Sequence, residues 1–229
     1  MSIVRLSLLV VFTAFGSACS AGQSSPATTP APMASSGPLA TPASIARAKA
    51  DSIRLPYTEA DVTFMTGMIG HHAQAVQISR WAQDHGASPV VQRLTARIIN
   101  SQQDEILTMQ RWLAARGRPV PDAEAAGMMQ HGADGMTMPE MHMPGMLSMD
   151  QLMALDAARG EAFDTLFLRD MIQHHTGAVT MVDALFATDG AAQDETTFKF
   201  ANDVQVDQRT EIARMQLLLA EILFRDSGS

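Results

Sequence analysis

Two pairs of adjacent histidines are the residues of this chain whose types and spacing are best suited to chemistry. Each pair shares a helical stripe with a methionine three or four residues earlier, because about 100° separates successive residues of a helix. Imidazole is a borderline metal ligand and thioether sulfur a soft one, a mixture that favours copper, especially Cu(I), over magnesium, calcium or manganese. The imidazoles alone leave zinc open. The residues are Met68, His71, His72, Met171, His174 and His175.

Two glutamates and two further methionines are predicted to face these histidines from neighbouring helices. Glu105 precedes Met109 by four residues, and Glu211 precedes Met215 by four, so each pair shares one helical face. The methionines would add thioether ligands, and each carboxylate could accept a histidine N–H and fix the tautomer of that ring. The competing interpretation is structural, because a buried histidine is usually a hydrogen-bonded core residue and methionines at helical spacing usually pack.

The longest stretch between the predicted long helices is rich in methionine. Eight of the 17 methionines fall between residues 127 and 149, together with glycines and prolines that interrupt any regular helix. Such a segment resembles the methionine motifs of exported copper-handling proteins, in which thioethers capture Cu(I). The alternatives are a lid folded over the bundle and an adaptable surface for a protein partner. The predicted capture residues are Met128, Met129, His131, Met136, Met138, Met141, His142, Met143 and Met146, and Met149 ends the run.

The elements that would position these residues are duplicated. Residues 61–76 realign on residues 164–179 at an offset of 103, and residues 102–113 realign on 208–219 at an offset of 106. Each half is therefore predicted to be a hairpin of two helices, and the hairpins to form an all-α four-helix bundle with a pseudo-two-fold axis. We place the helices at 58–85, 89–116, 148–158, 161–188 and 193–225.

Local signals agree with these helix boundaries. Thr58 with Asp61 and Ser148 with Gln151 are typical of capping boxes, and Ser88 is a predicted cap before a proline at the first helical position. The predicted helix ends are marked by Gly86, Gly117 and Gly190.

The first 18 residues resemble a bacterial lipoprotein signal peptide, with a basic residue, a short apolar run and small residues before Cys19. Lipidation of Cys19 would anchor the protein to a membrane; ordinary secretion is the alternative, because Gly16 stands where the motif usually has an aliphatic residue. Residues 19–44 are rich in Ala, Ser, Thr and Pro and are predicted to be a disordered tether. The bundle domain then spans 45–229, with hairpins at 58–116 and 148–225 and the Met-rich crossover at 117–147.

Charge and cysteine content exclude other classes of protein. Acidic residues outnumber basic ones by 24 to 16, which leaves no basic footprint for nucleic acid and favours cations as partners. A single cysteine excludes a disulfide framework and a cysteine-based zinc site. After the leader, no apolar run is long enough to span a bilayer.

The chain resembles the bacterial domain-of-unknown-function family 305 from about residue 56 to residue 225. The resemblance rests on Met68-Ile-x-His71-His72, on its repeat Met171-Ile-x-His174-His175, and on Gln103-x-Glu105-Ile106-x-x-Met109-x-x-Trp112-Leu113. It implies a ferritin-like bundle, export to the envelope and, for members that have been studied, copper binding and tolerance. The metal-facing positions that it implies are Met68, His71, His72, Met109, Met171, His174, His175 and Met215. Met181, which lies beside the helical stripe of Met171 and His175, is a further predicted ligand, and because its counterpart is Ile78, the two sites would differ in their number of thioethers.

We therefore expect a non-enzymatic, lipid-anchored protein of the bacterial envelope that captures copper with the crossover and holds it in the bundle. Its role would be sequestration, or exchange with a copper donor or acceptor protein. One alternative is a lipoprotein whose histidines are core residues and whose methionine segment binds a protein partner. Another is a ferritin-like oxidase of Cu(I) or iron; however, no glutamate is followed three residues later by histidine, as carboxylate-bridged di-iron sites require.

Overall fold

The computed structural model describes residues 41–43, 57–128 and 143–226, and those parts of the chain contain helices and no strand. The helices are α1 (Glu59–Asp84), α2 (Pro89–Ala115), α3 (Ala123–Met128), α4 (Met149–Ala157), α5 (Gly160–Phe186) and α6 (Glu195–Asp226). The four long helices, α1, α2, α5 and α6, form the all-α bundle that the repeat predicts. Their ends, and those of α4, lie within two residues of the predicted boundaries.

The bundle is assembled from two helical hairpins. Helix α1 packs along α2 and α5 packs along α6, and the hairpins meet where α1 contacts α5. None of the helices in the described ranges combines the length and the apolarity needed to cross a membrane.

The three predicted N-caps lie where the sequence places them, and two of them form complete capping boxes. Asp61 accepts the backbone N–H of Thr58 at 2.7 Å while Thr58 caps α1, and Ser148 and Gln151 make the equivalent exchange at the start of α4. Ser88 is the N-cap residue of α2 with Pro89 at the first helical position, as predicted, but its side chain makes no capping hydrogen bond. The backbone N–H of Ser88 is instead bound by Asp164 from the other hairpin, at 3.2 Å from each carboxylate oxygen.

This contact has a counterpart in the other half of the repeat. Asp61, which aligns with Asp164, accepts the backbone N–H of Ala192 at 2.7 Å. Ala192 lies in the loop between α5 and α6 and has a positive φ of 53°. Each hairpin therefore uses a buried aspartate at the start of its first helix to hold the connecting loop of the other hairpin, which joins the two repeats at both ends of the bundle.

Helix α3 was not predicted and lies inside the crossover. Asp122 accepts the backbone N–H of Ala125 at 3.0 Å and so caps its first turn. The helix packs against α1 through small residues, since Ala126 lies beside Gly70 and a Cβ at Gly127 would come within 3.0 Å of Ala73. The described start of the crossover is thus packed on the first hairpin.

The apolar core is divided into two halves. One half joins the first part of α1 to the second part of α5, and contains Phe64, Met68, Ala178 and Val182. The other half joins the first part of α5 to the second part of α1, and contains Phe163, Met171, Ala75 and Ile78. Helices α1 and α5 therefore run antiparallel, and the residues between these two halves lie at the middle of the bundle.

Candidate metal centre

Four fully buried histidines occupy this middle position and are called here the His layer. His71 and His174, which are equivalent in the repeat, contact each other across α1 and α5, with ring centroids 3.9 Å apart and ring planes inclined by 41°. Within each pair the rings lie further apart, at 6.4 Å for His71 and His72 and 6.2 Å for His174 and His175. The members of the layer, all with no exposed surface, are His71, His72, His174 and His175.

The outer histidine of each pair is bound by a glutamate of its own hairpin. His72 Nε2 lies 2.6 Å from a carboxylate oxygen of Glu105, and His175 Nε2 lies 2.7 Å from one of Glu211. A carboxylate only accepts, so Nε2 carries the proton in both rings and Nδ1 faces away from the glutamate. The structure thus places both predicted glutamates where they orient imidazoles.

Burial sets the protonation of the inner histidines. Burial, with a smaller contribution from repulsion by His72, lowers the pKa of His71 from 6.5 to about 3. Burial also holds the pKa of His174 well below its usual value, with smaller contributions from the neighbouring histidines. Both rings are therefore neutral at physiological pH, which is the state in which imidazole binds metal ions.

A third acidic residue, Asp207, lies close enough to both glutamates to interact with their charges. The pKa of Asp207 is raised by its partial burial and then by the charges of Glu105, Glu211 and Asp203. Glu105 and Glu211 keep 16% and 10% of their side chains exposed. The edge of the His layer that faces α2 and α6 is consequently negative, which attracts cations toward the buried rings.

Several ring nitrogens in the layer have no hydrogen-bond partner. They are His71 Nδ1, His72 Nδ1, both nitrogens of His174 and His175 Nδ1. Gln102 and Gln208, which occupy equivalent positions in the repeat, also bury side-chain atoms without partners. Unpaired polar atoms in a bundle core are costly, so this layer is poorly explained by packing alone.

The described residues contain no group of three or more His, Cys, Asp or Glu side chains arranged to hold a metal ion. The four rings therefore do not form a closed, all-nitrogen site such as structural zinc requires. A site in this layer would need donors of another type, and the only other soft donors in the chain besides Cys19 are methionine sulfurs.

The predicted bundle methionines lie on both sides of the His layer. Met68 and Met109 belong to one half of the core, and Met171 and Met215 to the other, all without exposed surface. Met68 and Met171 stand one helical turn before the histidine pairs. Met181 is partly buried, and its methyl carbon lies 3.4 Å from the position a Cβ would take at Gly67.

The end of the crossover reaches the same place. Residues 143–147, here called the strap, cross α1 and α5 next to the His layer. Met143 Sδ lies 3.4 Å from the position that a Cβ would take at Gly67, on the same side as Met181. Met143 and Met146 are both partly buried, whereas Met149 is 45% exposed. Six of the predicted capture residues lie outside the described residues, namely Met129, His131, Met136, Met138, Met141 and His142. The side chain of Met128 also lies outside them. Cys19 lies outside them as well.

The residues that hold the strap were missed by the sequence reasoning. His71 Nε2 lies 3.0 Å from the carbonyl oxygen of Pro144, and the Gln74 amide binds the backbone of Leu147 twice, at 2.9 and 3.3 Å. Gln74 aligns with Gly177, but this is one of eight differences among the sixteen aligned positions 61–76, so the alignment alone did not single it out.

His85, the remaining histidine within the described ranges, and the two tryptophans have structural partners. His85 Nε2 donates to the carbonyl oxygen of Asp156 at 2.9 Å, and Trp81 stacks on its ring. Trp112 Nε1 donates to the buried carboxylate of Asp194 at 2.9 Å. These contacts give the three residues structural roles.

The described part of the chain is a bundle of two duplicated hairpins with paired histidines at its centre. Residues 61–219 match the family described as Domain of unknown function (DUF305), and the chain belongs to it. A 56-residue stretch is also 38% identical to the uncharacterized protein L153 of Acanthamoeba polyphaga mimivirus, and covers 37% of that protein's length.

Solved structures with the same fold include two bacterial DUF305 proteins. A candidate secreted protein from Streptomyces coelicolor is 27% identical, with a TM-score of 0.58 over 71% of this chain and 93% of that one. A fragment from Deinococcus radiodurans is also 27% identical, with a TM-score of 0.59 over 72% and 99% of the two chains.

A third similar structure is that of CopM. In its Cu(II)-bound form it is 30% identical to this chain, with a TM-score of 0.53 over 70% of this chain and 96% of CopM. CopM also has structures in Cu(I)-bound and Ag-bound forms.

Proposed function

We propose that this protein is a non-enzymatic copper-binding protein of the bacterial envelope, which captures copper with its Met-rich crossover and holds it in the middle of the bundle. The observation that carries the proposal is the His layer: four buried imidazoles, two of them neutral and in contact, with five ring nitrogens that no protein group pairs. A bound cation would satisfy nitrogens that are otherwise costly to bury.

The chemistry of the available donors supports copper, and Cu(I) in particular. Neutral imidazole and thioether together form a soft donor set, and Cu(I) accepts the low coordination numbers that two or three such ligands provide. Zinc fits less well, because thioether is a poor ligand for it and the described residues lack a three-donor set of other types. The similarity to CopM, which has been seen with Cu(I), Cu(II) and Ag, supports the same cargo here.

Export and lipid anchoring form the second part of the proposal. The leader ending before Cys19 supports it, and the candidate secreted relative from Streptomyces agrees with export. Intact-mass analysis of protein extracted from membranes tests the anchor: the expected species begins at Cys19 and carries lipid. An unmodified Cys19 in that fraction would exclude it.

The role is sequestration or delivery rather than catalysis. The sequence lacks the Glu-x-x-His motif of the di-iron oxidases that share this architecture. The inner imidazoles are buried, which suits retention of an ion better than turnover of a substrate.

A competition titration of the full chain with Cu(I), Cu(II) and Zn(II), against chelators of known affinity, tests the proposal. We expect Cu(I) to bind most tightly, and the double variant His71→Leu/His174→Leu to lose at least one ion per chain. The matched control is His85→Leu, which also removes a buried imidazole but outside the His layer; it should bind as the wild type does. Unchanged Cu(I) affinity in the double variant would exclude a site in the layer.

A second comparison separates the crossover from the bundle. Replacing Met129, Met136, Met138 and Met141 by leucine removes four thioethers at nearly constant volume. We expect the variant to lose the weakly bound copper ions and to keep the most tightly bound one. Binding no tighter than micromolar for every metal in the wild type would instead favour a partner-binding lipoprotein.

A further inference from the structure

The hydrogen bond between His71 and the strap has a consequence for metal binding. A carbonyl oxygen only accepts hydrogen bonds, so the contact to Pro144 requires that Nε2 of His71 carries a proton. A neutral imidazole has one N–H, and Nδ1 of His71 therefore keeps a bare lone pair. That atom is buried and has no partner in the protein.

The strap is held in place by specific features of both first helices of the hairpins. On α1, the Gln74 side chain accepts from the backbone N–H of Leu147 and donates to its carbonyl. On α5, the absent side chain of Gly177 makes room, because a Cβ there would overlap the carbonyl oxygen of Pro144. Gly145 completes the fit with a φ of +80°, and a Cβ on it would lie 2.7 Å from the Gln173 carbonyl oxygen.

The strap also makes the two halves of the repeat unequal. Gln74 and Gly177 occupy equivalent positions, so one copy supplies the amide that binds the strap and the other supplies the space. Glu105 and Glu211 fix His72 and His175 alike, but the strap fixes His71 alone, and neither nitrogen of His174 has a partner.

We propose that the strap selects the nitrogen through which His71 binds metal: it holds Nε2–H and leaves Nδ1 as the donor to a soft monovalent cation. This inference rests on the proposed copper function and deepens it. Pro144, Gln74 and Gly177 are positioning residues, since they act on the cation only through His71. A metal-binding histidine commonly donates its second ring N–H to a backbone carbonyl, which orients the ring and raises its basicity.

Ring nitrogen NMR on the ¹⁵N-labelled full chain, with Ag(I) as a diamagnetic probe, tests the assignment. Before metal is added, His71 should show a bare Nδ1 and a protonated Nε2; the His71→Gln spectrum identifies its signals. At saturating Ag(I), the Nδ1 signal should shift and the Nε2 proton should persist. Coordination through Nε2, or a proton on Nδ1 in the metal-free protein, would overturn the inference.

A pair of glycine variants tests the strap itself. Gly177→Ala should displace Pro144, mix the two tautomers of His71 and weaken Ag(I) binding by about tenfold or more. The matched control is Gly70→Ala, at the position immediately before His71 on α1, where the added methyl would meet Ala126 at ordinary contact distance, 3.5 Å. It should change neither the tautomer nor the affinity.

A further variant covers the case in which Gly177→Ala does not fold. Gln74→Ala releases Leu147 without adding atoms, and it should produce the same mixture of tautomers. A single Nε2–H tautomer in both strap variants would overturn the role of the strap. Failure of the wild type to bind Ag(I) or Cu(I) would instead overturn the proposed function, and the metal-free spectra would still decide what the strap does.

Discussion

His71 and His174 are equivalent positions of the duplicated hairpin, and their imidazole rings meet with centroids 3.9 Å apart. Equivalent residues of two repeats contact each other only near the axis that relates the repeats, so this pair marks the pseudo-two-fold axis of the bundle. A polar contact at that point interrupts the apolar core between its two halves. The bundle thus brings buried imidazoles of both hairpins together at its middle.

The neutral state of these rings predicts that the metal-free protein loses stability in mild acid. The unfolded chain takes up protons as pH falls through 6.5, whereas His71 in the folded protein resists protonation until about pH 3. The stabilisation from the neutral rings is therefore present above pH 6.5 and declines below it. Each ring contributes up to ~1.4 kcal/mol per pH unit to the slope.

Urea denaturation of the metal-free protein at pH 7.5, 6.0 and 5.0 measures this slope. His174→Gln removes one of the two titrating rings. The slope of the free energy of unfolding against pH should therefore be smaller in this variant, by the amount that corresponds to about one proton. Equal slopes in the variant and the wild type would mean that His174 titrates normally in the folded protein.

A buried cluster away from the His layer should control stability without controlling metal binding. Asp194 accepts hydrogen bonds from Trp112 and Arg116, both at 2.9 Å, and Arg116 is itself almost fully buried. Asp194→Ala leaves that guanidinium without its partner, which typically costs about 3–5 kcal/mol. Chemical denaturation checks the loss, and the Cu(I) affinity of the folded fraction should be unchanged.

The control for this variant is Asp183→Ala. Its ion pair with Arg209 is long, at 3.9 Å, and both side chains are more than half exposed. Removing it should alter the free energy of unfolding by less than about 0.5 kcal/mol. A similar loss in both variants would show that the Asp194 cluster is not a special source of stability.

Most of the fold could be predicted from the duplicated motif. Apolar spacing, the Thr58 cap and the left-handed Gly86, Gly117 and Gly190 are local signals, and they predicted the helix boundaries because helix ends depend on a few neighbouring residues. Helix α3 was not predicted because a helix of six residues is too short to show a clear periodicity of apolar residues. The contacts of Asp61 and Asp164 were not predicted either. Each carboxylate accepts a backbone N–H from a loop of the other hairpin, and the spacing of residues within one helix does not indicate such a partner.

The site could be predicted only in part from the sequence, because several of its contacts also join different hairpins or involve backbone atoms. The spacing predicted that Glu105 and Glu211 could each accept a histidine N–H within their own hairpins, but not that His72 and His175 would be the donors. The strap involves backbone atoms of Pro144 and Leu147, whose residue types say nothing about hydrogen bonding to His71. The contact between His71 and His174 depends on how the two hairpins are offset along the axis, which no local pattern encodes.

The glutamates that orient the outer histidines should affect metal binding through those rings. Glu105→Leu and Glu211→Leu each remove the acceptor for an imidazole N–H, and loss of such an orienting partner usually costs 10–100-fold in metal affinity. Glu105→Gln and Glu211→Gln keep an acceptor and should lose much less. Competition titration with Cu(I) measures all four variants; equal losses for leucine and glutamine would attribute the effect to charge rather than to orientation.

Thioether ligation predicts a metal-specific effect of methionine substitution. Leucine replaces methionine at nearly constant volume, so Met68→Leu and Met171→Leu should cost less than about 1.5 kcal/mol in the free energy of unfolding. If their sulfurs bind copper, Cu(I) affinity should fall at least about tenfold while Zn(II) affinity stays the same, because Cu(I) is the softer ion. Met65→Leu is the buried control, since Met65 is also fully enclosed but lies a further turn from the histidines. Parallel losses for Cu(I) and Zn(II), or an equal Cu(I) loss in Met65→Leu, would assign these methionines to packing and leave the imidazoles as the only bundle ligands.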